Sequence, residues 1–453
     1  MFSFSIFKED EFVKFKQAIK KYCETMNYHD INLTSEELEQ LSGYVGNNVM
    51  TPEARGEDTT DKLHFEIKRG LARRYSFELL LRGDVASYKE FVQAQNKSAT
   101  LPLSVFETLS EKARSLSADL KVSIKASSFL TMNDTITHTL KENGYILSKD
   151  SEEFLTQLVP ILSKNNSLLP LARSLSPAQL TILQKMFWPG MHFRHMLYTE
   201  GGDNMSKSFS DGVMRGDFNK QDFIAWQWRW LTNLFGFQGG QGAKYYDAQT
   251  HFLAVTIFTE LEKILTDPTY SYLDSYLLKR AELAGFNEII SLSKVEQQWL
   301  GHLASCYNQV NILTPNLGKA IYAGYAEFKI ECDDAGKLAA LYEGQRKDAT
   351  TVTPTYVPAV LNTVYLVFKN KFKMNDNESL KNASQFMCQV LSTLYSLPHD
   401  KQISCMNFAK ETNLQGILEK WLSSHHSVNF NLNETGELIA KDAVTFRKAL
   451  SHV

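Results

Sequence analysis

Asp247 and His251 stand four residues apart at the end of FGFQGGQGAKYYDAQTH, residues 235–251. On a helix that spacing stacks carboxylate and imidazole on one face. The acid can then orient the ring, and the ring can serve as general base. The glycines before them, Gly240 among them, suit a turn whose backbone approaches a ligand closely. A helix starting near Ala243 would offer free amides and the positive end of its dipole to an anion, and Lys244 would add charge. The spacing is not that of a phosphate-binding P-loop, because Tyr245 follows the lysine and no strand precedes the loop.

Two further groups lie just upstream. In WPGMHFRHMLYTEGGDNM, His192 and His195 are three apart, and Glu200 follows. His195 with Glu200 forms a second candidate acid/base set. The spacing is not that of a known metal motif, so no metal is assigned. In DFIAWQWRWLTNLFGF, Asp222, Trp226, Arg229 and Asn233 fall on one helical stripe. The helix is apolar on nearly every side, so it should be buried. An arginine inside it needs an acidic partner, such as Glu200 or Asp247, or an anionic ligand. With Trp226 as a stacking surface, Arg229 could bind phosphate or carboxylate. The expected set is therefore His195, Glu200, Asp247 and His251 for catalysis, and Trp226, Arg229, Gly240 and Lys244 for substrate.

Composition marks the same stretch. Residues 188–251 hold nine of the 23 glycines and four of the six tryptophans. Elsewhere helix grammar dominates. Thr34 and Glu37 in LTSEELEQL form a capping box, and Ser176-Pro177 opens another helix. Alternating strands bounded by turns are nearly absent. The expected fold is mainly α, a multi-helix assembly of two or three packed subdomains. The segments SKNNSLLPLARSLSP and GQRKDATTVTPTYVP read as hinges. They give regions 1–165, 175–345 and 355–453, with the candidate site in the second.

Charge narrows the partners. With 48 basic and 51 acidic residues the net charge is −3, which argues against a nucleic-acid surface. The five cysteines form no CxxC, which points to reduced thiols. His302 and Cys306 share a helix face, where core packing is the expected role rather than a nucleophile–base pair. No apolar run spans a bilayer, and MFSFSIFKEDEF lacks a basic n-region. A cytoplasmic protein is expected, or one exported without a Sec signal.

The tail, NLNETGELIAKDAVTFRKALSHV, carries Glu434 and Glu437 ahead of a short terminal segment. It is similar to the acidic-patch tails of effectors that intracellular bacteria deliver by type IV secretion. The resemblance implies action in a host cytosol and carries no catalytic residue across. Two functions are open. One is an enzyme that binds a nucleotide or other phosphate-bearing substrate through residues 188–251. The other is a helical module that binds a protein partner, with tryptophan and arginine as anchors. No cofactor is indicated by the sequence.

Overall fold

In the computed structural model the described residues are 9–43, 63–149, 151–199, 203–289, 291–307, 315–331, 335–347, 357–396, 415–424, 430–432, 438–440 and 444–445. The fold is mainly α. The helices are α1 (Glu9–Thr25), α2 (Ser35–Ser42), α3 (Phe65–Arg82), α4 (Val85–Val92), α5 (Leu103–Ser115), α6 (Ala118–Ser127) and α7 (Asp134–Glu142). They continue with α8 (Ser151–Lys164), α9 (Pro170–Arg173), α10 (Pro177–Met186), α11 (Phe193–Leu197), α12 (Lys207–Arg215), α13 (Lys220–Phe235) and α14 (Ala248–Glu262). The last are α15 (Tyr272–Leu283), α16 (Lys294–Cys306), α17 (Pro315–Glu331), α18 (Ala335–Lys347), α19 (Val357–Asn370), α20 (Asp376–Tyr395) and α21 (Gln415–Ser423). Three short strands follow, β1 (Phe430–Leu432), β2 (Leu438–Ala440) and β3 (Val444–Thr445).

Helix starts follow their capping chemistry. Thr34 and Glu37 close a reciprocal capping box on α2, and Ser176 and Gln179 do the same on α10 with Pro177 in its first turn. Asn219 and Asp222 build a third on α13.

The chain divides into two compact units, and both are discontinuous. The first comprises 1–190 and 212–258, and the second 191–211 and 259–453. The hinge expected at 163–177 instead falls inside the first unit, where α8 ends and α9 begins. The linker expected at 344–358 begins inside α18, and its residues 348–356 lie outside those described.

In the first unit α13 is the centre, packed against α3, α6 and α10. Trp226, Trp228 and Trp230 are all buried, and Trp228 meets Phe77 edge to face. The second unit is organised by the pairs α15–α16 and α17–α20. Gly301 lets α16 approach α15 so closely that a Cβ would sit 2.1 Å from the Leu277 carbonyl oxygen. Gly324 does the same for α17 against Lys381 of α20.

The region 355–453 was expected to be helical, yet its described tail is a three-stranded antiparallel sheet in the order β1-β2-β3. Phe430 pairs with Ala440, and Ile439 with Thr445. The alternation Phe430-Asn431-Leu432 is a period-2 signal too short to stand out against the helices around it. Among the described residues no helix is long and apolar enough to cross a membrane.

Candidate functional site

The glycine-rich loop is built against α3 and α4. Gly236 ends α13, and a Cβ there would fall 2.6 Å from both the Arg69 carbonyl oxygen and the Arg73 backbone nitrogen. Only glycine allows the two helices to meet so closely. Gly239, Gly240 and Gly242 take φ of 66°, 75° and 63°. Gly242 also sits under the last turn of α4, with the Glu90 and Phe91 carbonyl oxygens 2.9 Å from where a Cβ would be.

The loop is then pinned by hydrogen bonds. The Ala243 N–H donates to the Phe91 carbonyl at 2.8 Å. The Gln95 amide donates to the carbonyls of Ala243 and Tyr246 at 3.0 and 2.8 Å. The Tyr28 hydroxyl donates to the Gly240 carbonyl, and its ring stacks on Tyr75.

These contacts move the next helix. It was expected to start near Ala243, but residues 243–246 are held as a turn and α14 starts at Ala248. Lys244 therefore precedes the helix, and its side chain is exposed. Asp247 does not reach back to orient His251. Its carboxylate accepts the Thr250 N–H at 2.9 Å and occupies the amide end that an anion would have used. His251 is oriented by Tyr246 instead, with the phenol 2.8 Å from Nδ1. Burial, followed by the nearby Lys112 charge, drops the His251 imidazole to about 4. Burial pushes the Tyr246 hydroxyl up. Both groups are thus uncharged, and the bond between them is made by either tautomer of the ring.

On α13, Trp226 is fully buried and stacks on Phe223, with Phe258 meeting it edge to face. The Arg229 guanidinium lies 3.8 Å from the Trp230 ring centroid and 4.9 Å from that of Phe187. Such stacking holds a planar, weakly hydrated cation in an apolar setting. Asp222, at the head of the expected stripe, completes the α13 capping box and lies 3.8 Å from Lys185.

Trp226, Arg229, Gly240, Lys244, Asp247 and His251 all belong to the first unit, whereas His195 belongs to the second. Glu200 lies outside the described residues. His195 is half-buried on the short helix α11, its ring 5.3 Å from that of His192 and edge-on to it. Among the described residues no group of three or more His, Cys, Asp or Glu side chains is placed to share a metal ion.

A second polar cluster escaped the sequence reading. Arg346, at the end of α18, is fully buried. Its Nη1 donates to Asp203 at 3.1 Å, and its Nη2 donates to Asp274 and, at 3.2 Å, to Gln298. Burial pushes the Asp203 carboxyl up, against the pull of Arg346. Asp274 is also penalised by burial, but its closer bond to Arg346 holds it below the usual range. Beside this clamp, His302 Nδ1 lies 2.8 Å from the Thr199 hydroxyl, and its Nε2 is 3.9 Å from the Cys306 sulfur. Burial, then Arg346, lowers the His302 imidazole to about 3. An imidazole this weakly basic does not draw the thiol proton, which fits core packing. Arg346 was missed because it sits in GQRKDATT, whose polar composition imitates a linker. The signal was Tyr342, one turn earlier on an apolar helix face.

No family model, curated protein or solved structure matches this chain.

Proposed function

We propose that this chain is a non-catalytic helical module that binds a protein partner, and that the outward face of α14 contributes to the contact. The observation that carries the reading is how the chemically capable residues of 226–251 are used. Trp226 fills the core, Arg229 stacks on rings, Asp247 caps a helix, and Tyr246 occupies the Nδ1 of His251. Immediately after them the same stretch presents Phe252 and Val255, three apart on α14 and 44% and 43% exposed. Exposed apolar pairs on one helix face are common anchors for a partner. The similarity of the tail to type IV effector tails supports action in a host cell as part of this proposal. A translocation reporter on the full chain, with and without the last twenty residues, tests that part.

The main test is affinity capture from lysate with the full chain and with Phe252→Asp/Val255→Asp. Ile146→Asp, which alters another exposed apolar residue, serves as the control. A partner retained by the wild type and the control but lost with the α14 variant supports the reading. Identical capture by all three sinks it. So does a thermal shift with a nucleotide that Lys244→Ala abolishes. A ligand at a hundredfold its Kd adds about 2.7 kcal/mol, which such a scan detects.

A further inference from the structure

Thr199 lies in the left-handed region of backbone space, at φ 52°. The other non-glycine residues found there among those described are Asn27, Asp30 and Lys373, and none of these is branched at Cβ. A β-branched residue at such an angle is strained, and strain of this kind persists only where the surroundings impose it. Here they act from both sides. The Tyr276 hydroxyl donates to the Leu197 carbonyl at 2.9 Å, and Arg346 holds Asp203. Thr199 itself is fully buried.

The strained residue carries a nucleophile beside a base. Thr199 Oγ1 lies 2.8 Å from His302 Nδ1 and 2.7 Å from the carbonyl oxygen of Tyr198, the residue before it. The hydroxyl is thus in reach of a proton acceptor and of the peptide bond that precedes it, as in an activated nucleophile. A fully buried hydroxyl cannot meet an outside substrate, but the chain's own backbone is already beside it. We propose that the chain cleaves itself between Tyr198 and Thr199. Thr199 Oγ1 attacks the Tyr198 carbonyl carbon while His302 takes the hydroxyl proton. The carbon–nitrogen bond breaks, and His302 passes that proton to the Thr199 nitrogen. The product is an ester joining the Tyr198 carbonyl to Thr199 Oγ1. Water then hydrolyses it, completing the Tyr198 carboxyl with its oxygen and returning a hydrogen to Oγ1.

The reaction uses the ring tautomer with its proton on Nε2, toward the Cys306 sulfur at 3.9 Å, which leaves Nδ1 to accept. Burial keeps the ring neutral, the form in which a general base starts. Its weak basicity makes the step slow. The ring holds the proton only while the Oγ1–carbon bond forms, when the hydroxyl is far more acidic than at rest. Breaking the peptide bond releases the strain at Thr199, which favours the ester over the amide. A single turnover on its own backbone needs no substrate pocket, so the binding role proposed for α14 is untouched. The fragments stay together, because residues 212–258 pack with residues 1–190 in the first unit.

Freshly purified full chain is incubated and followed by denaturing electrophoresis and intact mass. Two fragments should accumulate, the second beginning at Thr199 by N-terminal sequencing, with masses that sum to the chain plus one water. Hydroxylamine at neutral pH attacks esters, so it should speed the cut and leave a hydroxamate on Tyr198. The rate should be independent of protein concentration. Thr199→Val keeps the branched shape without the nucleophile and should give no cut, whereas Thr199→Ser should still cleave. His302→Gln should slow the reaction about 10²-fold. Circular dichroism checks that the variants keep their helix content. A chain that stays intact with and without hydroxylamine overturns the proposal. The same cut in Thr199→Val, or a rate that rises with protein concentration, also overturns it, since a contaminating protease would then be responsible. A full rate in folded His302→Gln overturns the assignment of His302 as the base.

Discussion

At the scale of single residues, two histidines are kept neutral by the fold. His251 is lowered to about 4 and His302 to about 3, in both cases mainly by burial. In the unfolded chain each titrates near ~6.5. Between these values the unfolded state binds protons that the folded state refuses, so acid favours unfolding. The contribution is fully present above pH ~6.5 and is lost as pH falls toward the folded values. Tm should therefore drop on acidification through this window. His302→Gln should flatten part of the slope, measured as Tm against pH for both proteins. A slope unchanged in the variant would mean that other groups carry the acid sensitivity.

The glycines of the loop allow a second residue-scale contrast. Gly242 and Gly240 both have positive φ, but only Gly242 faces backbone oxygens at 2.9 Å. Gly242→Ala should cost about 2–3 kcal/mol, from strain plus the clash with α4. Gly240→Ala meets no neighbour within 4 Å and should cost about 1 kcal/mol, from conformation alone. Urea denaturation of the two variants measures the difference. If the loop were a ligand cradle rather than a joint, Gly240→Ala would impair binding in addition to this small loss of stability.

At the scale of elements, close helix approach controls the second unit. Alanine is the better helix former by about 1 kcal/mol, so Gly→Ala in a helix is ordinarily favourable. At Gly301 the Leu277 carbonyl oxygen lies 2.1 Å from the new Cβ, and that clash outweighs propensity. Gly301→Ala should lower stability by about 2 kcal/mol, whereas Gly344→Ala, with open space on α18, should raise it by up to about 1 kcal/mol. Equal effects at the two sites would show that α15 and α16 do not cross this tightly.

Elements are also where the sequence was most and least readable. Thr34, Ser176 and Pro177 announce their helices because capping is local chemistry within four residues. The end of α13 at Phe235 was legible for the same reason, since the glycine-rich turn begins there. The start of α14 was not. It depends on the Ala243 N–H finding Phe91, a partner 152 positions away in the chain. Asp247 four residues before His251 looked like an orienting pair, yet an aspartate just before a helix is equally an N-cap, and the free Thr250 amide decided between them. Arg229 is buried as its apolar surroundings required. That two rings would flank its guanidinium depends on Phe187, outside its own helix.

At the scale of the whole molecule, the chain passes between its units three times, after residues 190, 211 and 258. Sequence reading divides a chain at polar linkers and so returns contiguous regions. A discontinuous unit is recorded only in tertiary contacts, such as those of α13 with α3, α6 and α10. This has a direct consequence for truncation. Residues 1–190 lack α13, whose Phe223, Trp226, Trp228 and Leu234 are each no more than 4% exposed in the first unit. Each such side chain contributes about 1.5–3 kcal/mol when buried, so the loss of all four is comparable to the whole stability margin of a domain. A 1–190 fragment should therefore bind hydrophobic dye and unfold without a cooperative transition. A 1–258 fragment restores α13 and the glycine loop that Tyr28, Phe91 and Gln95 pin, and it should unfold cooperatively with the tryptophan emission of a buried core. If 1–190 alone folded cooperatively, α13 would be an addition to the first unit rather than its centre. The tryptophans of residues 188–251 would then need a role other than packing, which would favour their service as anchors for a partner.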